Sequence, residues 1–490
     1  MFNFKNQNLI LIADRGRLDV AARLAFLSKK IKEKYNYNPV VISEYKSKKF
    51  VNKVFNIFGI ENNLLINFQY QNLKISIISL YLTITSIFKI LFFGFDWFVD
   101  SFKIKDIKLG DLIYDRFIRK NHEFIKPSCL KISFIRLIFL SIYKLLVLEK
   151  IIKENKVKFS LISSITYISI STLILRLSIK HKVLVVYLAG DHFTLIKNSF
   201  KEGDIIKEFI IKEKKKYNEK KLFLESKKYY QNRIEGKLNV KKFNQKNYFE
   251  HDELNWKNRK KNKKFINQIK KIKKNFSKTV LYAPHNFAES NHRCGDLLFR
   301  DFFQQTEETL KFANNNKNIL WLLKIHPYSK IKYDEEKIAK KLFEKYKSSN
   351  IIIAPNNINN IELFDLSDLV VSSRGTICLE AASHGVDNMI NCDIFYDVDN
   401  ISYRVKNKKE YFKKLSSKKI SKLNNITVSN AKKILYIRKK LQKENPYNLT
   451  TKSKLITNAN FCKELENSLN KIYKKNNSKN ILYKKIIQKL

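Results

Sequence analysis

The sequence predicts an α/β protein made of two Rossmann-like domains, each a doubly wound parallel sheet, followed by a helical C-terminal tail. Three observations lead there. Short β-branched apolar runs recur along the chain, segments of helical spacing about 10–15 residues long separate them, and polar residues gather just after the runs, where open parallel sheets bind ligands. With 490 residues, 44% of them hydrophobic and 29% charged, the chain has ample material for packed cores, which excludes wholesale disorder.

The first domain spans residues 1–200. Leu9 to Ala13 is an apolar strand, Asp14-Arg15-Gly16-Arg17 a turn, Leu18 to Lys30 a helix and Pro39 to Ile42 the next strand, a β-α-β opening. Phe159 to Ser163 and Val183 to Leu188 are strands of the same parallel kind. Residues 201–277 alternate Lys and Glu over long helical segments and read as a charged linker region. The second domain, 278–415, has the clearest rhythm. Strands are expected at Val280 to Tyr282, Ile319 to Ile325, Ile351 to Ala354, Leu369 to Ser372 and Asn388 to Asn391. The helices between them are Asp301 to Ala313, Tyr333 to Lys347, Asn360 to Leu366 and Thr376 to His384. Residues 416–490 are helical in pattern, very basic and without a strand signal.

The chain carries 96 Lys and Arg against 45 Asp and Glu, a net +51. Of the cations 82 are Lys and 14 are Arg, the wrong balance for a base-reading surface, which favours the guanidinium fork; no nucleic-acid partner is expected. The charge is uneven. Residues 276–400 hold 14 cations and 17 acids, a net −3, whereas 401–490 hold 25 and 4, a net +21. Compositional drift would act on the whole chain, so this pattern favours an anionic acceptor or a membrane leaflet as partner. Cys129, Cys294, Cys378, Cys392 and Cys462 fall in no metal-ligand or CxxC spacing, and Met1 to Asn8 lacks the regions of a secretion signal. Both fit a cytoplasmic protein in peripheral contact with the inner membrane. Ile75 to Phe95 is 21 residues with one charge, Lys89. It reads as a buried or interfacial helix, with a transmembrane span as the alternative. Ile132 to Leu148, interrupted by Arg136 and Lys144, reads as an amphipathic helix with snorkelling cations.

The candidate site residues lie after the predicted strands. DLVVSSRGTICLEAA, Asp368 to Ala382, places Ser372, Ser373, Arg374, Gly375 and Thr376 at a helix amino end. Free backbone N–H groups and the helix dipole make such an end a phosphate site. Glu380 follows Thr376 by four residues, on the same face, as a partner for a ribose diol. His326, in Lys324-Ile325-His326-Pro327, is a donor beside such a phosphate, and His285 follows the strand before it. In the first domain Asp14 and Asp191 follow strands too. A base to take a proton from an acceptor hydroxyl would come from these turns, with Asp14, Asp191 and His285 as candidates. No metal site is expected; Asp397-Val398-Asp399 has the letters of one but lies past the last strand.

Taken in order, APHNFAESNHR, LFRDFFQQTEETL, NILWLLKIHP, DLVVSSRGTICLEAASHGV and KEYFKKL, across Val280 to Leu415, resemble the bacterial capsule polysaccharide biosynthesis proteins related to the Kdo-transferring glycosyltransferases. Tyr229 to Lys237, YYQNRIEGK, adds a further echo. The resemblance implies a GT-B fold and a metal-independent glycosyltransferase with no cofactor. A CMP- or UDP-linked sugar would be held by the second domain through His326, Ser372, Ser373, Arg374, Gly375, Thr376 and Glu380, and the acceptor would be a surface polysaccharide or glycolipid. Two other readings are a nucleotide-sugar 2-epimerase-like isomerase and a non-catalytic, polyanion- or membrane-binding subunit of a polysaccharide assembly. The chain departs from the family pattern at Gly385-Val386-Asp387, where a Gly-Ile-Pro turn is usual, and at Tyr396 to Ser402, where a Gly-rich loop is.

Overall fold

The structure is a computed structural model and describes residues 6–442, apart from residues 17, 45–48, 62, 66–71, 122–124, 126, 190–191, 236–261, 327–334, 356–357 and 419–420. The chain divides into two compact units, Met1–Asn121 with Pro127–Lys201, and Glu202–Lys443.

The first unit is built on a six-stranded sheet of order β3-β2-β1-β6-β7-β8. Its strands are β1 (Asn8–Ala13), β2 (Asn38–Ser43), β3 (Asn63–Leu65), β6 (Lys156–Ile162), β7 (Leu184–Ala189) and β8 (His192–Ile196). All neighbours pair in parallel except β7 and β8, which are antiparallel with Ala189 opposite His192. The β1 run is buried from Leu9 to Ala13, as its unbroken apolar sequence requires for a strand covered on both faces. Helix α1 (Leu18–Tyr35) lays Val20, Leu24, Phe26, Leu27 and Ile31 on the sheet. Outside the sheet lie α2 (Lys49–Ile57), the long α3 (Leu73–Ser101), a small hairpin β4–β5 (Lys103–Ile104, Ile107–Lys108), α4 (Gly110–Asn121), α5 (Ile132–Glu154) and α6 (Ile170–Lys180). Arg176 of α6 and Asp111 of α4 form a buried pair at 2.7 Å, which ties this helical layer together.

The second unit has a sheet of order β11-β10-β9-β12-β13-β14 with every pair parallel. Its strands are β9 (Lys278–Tyr282), β10 (Ile319–Leu323), β11 (Ile351–Ile353), β12 (Leu369–Val371), β13 (Asn388–Ile390) and β14 (Tyr403–Arg404). Both sheets therefore follow the doubly wound order in which direction reverses between the first and fourth strands, here β9 and β12. The fold is the α/β class of two Rossmann-like, doubly wound units that the sequence predicts.

Two sequence expectations change in this unit. The region read as a linker is part of the core. Helices α7 (Glu202–Lys214), α8 (Glu219–Ile234) and α9 (Lys263–Lys273) bury Ile210, Leu222, Tyr229, Tyr230 and Ile269 with the strand residues; a few apolar positions per helix suffice to dock it, however charged the rest. The start of the expected tail also joins the core. After α14 (Lys408–Ser416), helix α15 (Asn425–Gln442) buries Ala431, Ile434, Leu435 and Ile437. Residues 443–490 lie outside the described residues.

Candidate functional site

Three loops meet at the carboxyl ends of β9, β10 and β12. The first, after β9, is held from several sides. Asn291 accepts from the Phe302 N–H at 2.9 Å and donates to the Phe287 carbonyl at 3.0 Å, and so joins the loop to the start of α10 (Phe302–Asn315). Glu335, in the first turn of α11 (Glu335–Lys345), accepts from the backbone N–H of Ala288 at 2.9 Å and from that of Phe287. Burial, with the charge of Glu289, pushes its carboxyl up to about 7 against the pull of those two donors.

His285 and His326, from successive β-α turns, stack with ring centres 5.3 Å apart and planes 27° from parallel. Phe302 covers the other contact of His285 at 5.0 Å. Glu289 Oε2 lies 3.6 Å from His285 Nδ1, outside hydrogen-bond range. Burial, and secondarily the Arg374 cation, lower the His285 pKa to about 3, so the ring is uncharged at working pH and, enclosed as it is here, a weak proton acceptor.

The turn after β12 packs against the β9 loop. Ser372 Oγ donates to the Ala283 carbonyl at 2.8 Å, and Ser373 Oγ donates to Gln305 Oε1. Arg374 is buried, its guanidinium donating to the carbonyls of Glu289 and Ser290 and lying 5.0 Å from the Phe302 ring. It clamps the β9 loop rather than reaching solvent. Gly375 is the N-cap of α13 (Thr376–His384), and no side chain caps that helix end. A side chain at 375 would place Cβ 2.6 Å from Ser372 Oγ, so this approach demands glycine. Tyr396, in the segment that departs from the family pattern, donates to the Gly375 carbonyl at 2.7 Å.

Glu380 differs from its sequence expectation. It is 3% exposed, with Oε1 receiving Arg233 Nη2 at 2.6 Å and Oε2 receiving Asn360 Nδ2 at 2.9 Å. Arg233 belongs to the YYQNRIEGK stretch, whose Tyr229 takes a bond from Arg233 at 3.3 Å and whose Tyr230 bonds His384 Nδ1 at 3.0 Å. Glu380 thus joins α8, α12 (Asn360–Leu366) and α13. The helical spacing put it on the right helix; the partner that claims it lies 147 residues away in the chain.

Of the remaining candidates, Asp14 is engaged in its own turn, accepting from Gly16 N–H at 2.7 Å and from Ser43 Oγ at 3.3 Å. Gly16 has φ +65 there. Asp191 lies outside the described residues. His192 opens β8, and β7 and β8 form an antiparallel pair that the parallel reading did not foresee. Asp397 and Asp399 pair with Arg404 at 3.2 Å and Lys214 at 2.6 Å. Sequence reasoning missed Gln305, Asn291 and Glu335. The first two lie inside the motifs that carry the resemblance, while the only sign of the third was an acidic first turn. KEYFKKL proves structural. Tyr411 is buried against Thr309 at 2.8 Å, and Lys278 Nζ donates to the carbonyls of Lys414 and Ser417, each at 3.1 Å.

No protein-family model and no curated protein matches the chain. Among solved structures it is similar to the β-Kdo 2,4-transferase KpsC of Thermosulfurimonas dismutans, at 11% identity and TM-score 0.32 over 57% of this chain and 83% of that one. It is also similar to a glycosyltransferase from Rickettsia africae, at 11% identity and TM-score 0.29 over 90% and 100%. A UDP-GlcNAc 2-epimerase from Neisseria meningitidis, solved with UDP-GlcNAc, gives 12% identity and TM-score 0.25 over 89% and 99%.

Proposed function

We propose that the chain is a glycosyltransferase whose second unit holds a CMP- or UDP-linked sugar and whose acceptor is an anionic surface polysaccharide or glycolipid. The observation that carries this reading is the uncapped amino end of α13 beside the stacked pair His285–His326, at the reversal point of a doubly wound sheet. The donor's phosphates bind the N–H groups of Thr376 and Ile377 and a proton of His326. The sugar's anomeric carbon is attacked by an acceptor hydroxyl, whose proton passes to a neutral base. His285 is the candidate in this unit, its basicity raised by the negative charge of the bound donor phosphates. Dipole and hydrogen bonds stabilise the charge that develops on the departing phosphate. Glu380, enclosed by Arg233 and Asn360, positions α13 and leaves ligand contact to the turn above it. The basic surplus outside residues 276–400 suits an anionic acceptor.

Titration calorimetry with CMP, UDP and their sugars tests the site. His326→Asn should weaken the binding nucleotide about 10- to 100-fold, the value of one hydrogen bond to a charged group. Equal affinity in wild type and variant rejects the assignment, and no nucleotide binding in the wild type favours the non-catalytic reading. A second enzymatic reading, isomerisation of the sugar while it is nucleotide-bound, draws on the carboxylate of Glu289 near His285, an acid–base couple. Turnover of the donor without acceptor distinguishes it.

A further inference from the structure

The unabsorbed feature of the first unit is α3, whose amphipathicity is reversed. Gly94, with φ 76 and ψ 177, breaks it into Leu73–Phe93 and a short second piece. The second piece is anchored, Phe95 and Phe98 lying 5.4 and 5.5 Å from Phe134 of α5. In the first piece the residues turned inward are Ser76, Ser79, Thr83, Ser86 and Ile90, all buried. Those turned outward are Leu73, Ile77, Leu80, Tyr81, Ile84, Phe88, Leu91, Phe92 and Phe93, with exposures from 48% at Ile84 to 82% at Phe92.

The inward hydroxyls ask for nothing from solvent. Ser76, Ser79, Thr83 and Ser86 each donate to the carbonyl four residues back, which lets small polar side chains line a packed helix face. The outward face leaves nine large apolar side chains in contact with water. Leu130 and Ile132, 62% and 83% exposed, precede Phe134 at the anchored end. A contiguous apolar surface of this kind marks an interaction site.

Its charged surroundings select the partner. No Asp or Glu occurs from residue 72 to 95 or from 130 to 148, the exposed Asp96 being the first acid past the Leu73–Phe93 piece, and the exposed charges in those stretches are Lys74, Lys89, Lys131 and Arg136. A second copy of the chain would bring four cations against four. Residues 443–490, with 11 Lys and 3 Glu, would be repelled likewise. A leaflet of anionic phospholipid supplies both an apolar interior and a negative surface. We infer that the outward face of α3 docks on an anionic lipid bilayer, lying in the plane of one leaflet with the Ser76–Ser79–Thr83–Ser86 face kept against the protein. The Leu73–Phe93 piece, about 31 Å long at 1.5 Å per residue, is held along one side by its own unit and is embedded on the other.

Co-flotation of the full chain with vesicles tests this. The wild type should float with phosphatidylethanolamine–phosphatidylglycerol vesicles, and less with phosphatidylcholine or at high salt. Phe88→Ser with Phe92→Ser should reduce binding about 100-fold, as expected for two buried aromatic side chains. Lys74→Gln with Lys89→Gln should reduce binding to anionic vesicles about 30-fold, at roughly 1 kcal/mol per cation. A second measurement needs no variant. Trp97 lies 5.7 Å from Phe93, so vesicles of brominated lipid should quench tryptophan fluorescence. Absence of flotation and quenching overturns the inference, as does undiminished flotation of the Phe variant. A lipid-free dimer that this variant dissociates overturns it too, by assigning the face to a second copy.

Discussion

His285 and Glu335 are both kept uncharged by burial, and they respond to pH with opposite sign. Glu335 has its folded pKa raised to about 7 from 4.5, so between those values the folded chain holds a proton that the unfolded chain has released. Its contribution to stability falls as pH rises through that window. His285 is lowered to about 3 from 6.5; the folded chain lacks a proton that the unfolded chain holds, and stability falls as pH drops from 6.5. From about 4.5 to 6.5 the two slopes offset each other. Urea unfolding across this range should therefore be nearly flat in these contributions for the wild type. Relative to wild type, Glu335→Gln should make stability rise with pH, and His285→Asn should make it fall, each by up to about 1.4 kcal/mol per pH unit. A Glu335→Gln profile parallel to wild type would mean that the carboxyl ionises in the folded state as it does in the unfolded. At Glu380 the expected cost is that of leaving a buried charge alone. Arg233→Met should destabilise the second unit by about 3–5 kcal/mol, with Arg233→Met/Glu380→Leu recovering most of it; equal losses in the single and double variants would show that the pair is not coupled.

At the scale of elements, the β12–α13 turn is a steric unit as well as a candidate anion site. Gly375 is required because Ser372 Oγ, fixed by its bond to the Ala283 carbonyl, fills the space of a side chain. Gly375→Ala should cost about 1–3 kcal/mol by overpacking, and Ser372→Ala should relieve part of that cost when combined with it. Thermal melting of the four chains gives the coupling, and strict additivity would contradict the close contact. The periodicity of α13 and the strand before it was readable because both are short, regular and buried. The long charged helices α7 to α9 were not readable as core. Their docking rests on isolated residues such as Ile210, Leu222 and Ile269, and charge on the other faces dominates any window average. In α3 the composition was plain in the sequence. Which face points out was not, because hydroxyls satisfied along their own helix can face inward as readily as outward.

At the scale of the whole molecule, each unit has its own sheet and its own core. The proposed donor site lies wholly within the second. Hydrogen exchange with saturating nucleotide should therefore slow at the β9 loop, 283–294, and at 372–377, and leave the β1 and β6 strands unchanged; protection confined to the first unit would place the nucleotide elsewhere. Much of this organisation was determined by the sequence alone. Apolar runs such as Ile319 to Leu323 are too short for core helices and too unbroken for half-exposed strands, so their alternation with helices imposes a parallel sheet, and with it the rim where His285, His326 and Ser372 to Thr376 gather. Tertiary structure decided which partners those residues have. The stacking of the two histidines, the clamp of Arg374 on the β9 loop, the capture of Glu380 by Arg233 and the occupation of the Phe287 and Ala288 amides by Glu335 join positions up to 147 residues apart. Local periodicity determines which element a side chain belongs to and which face it shares; only the closing of one element over another determines what it meets.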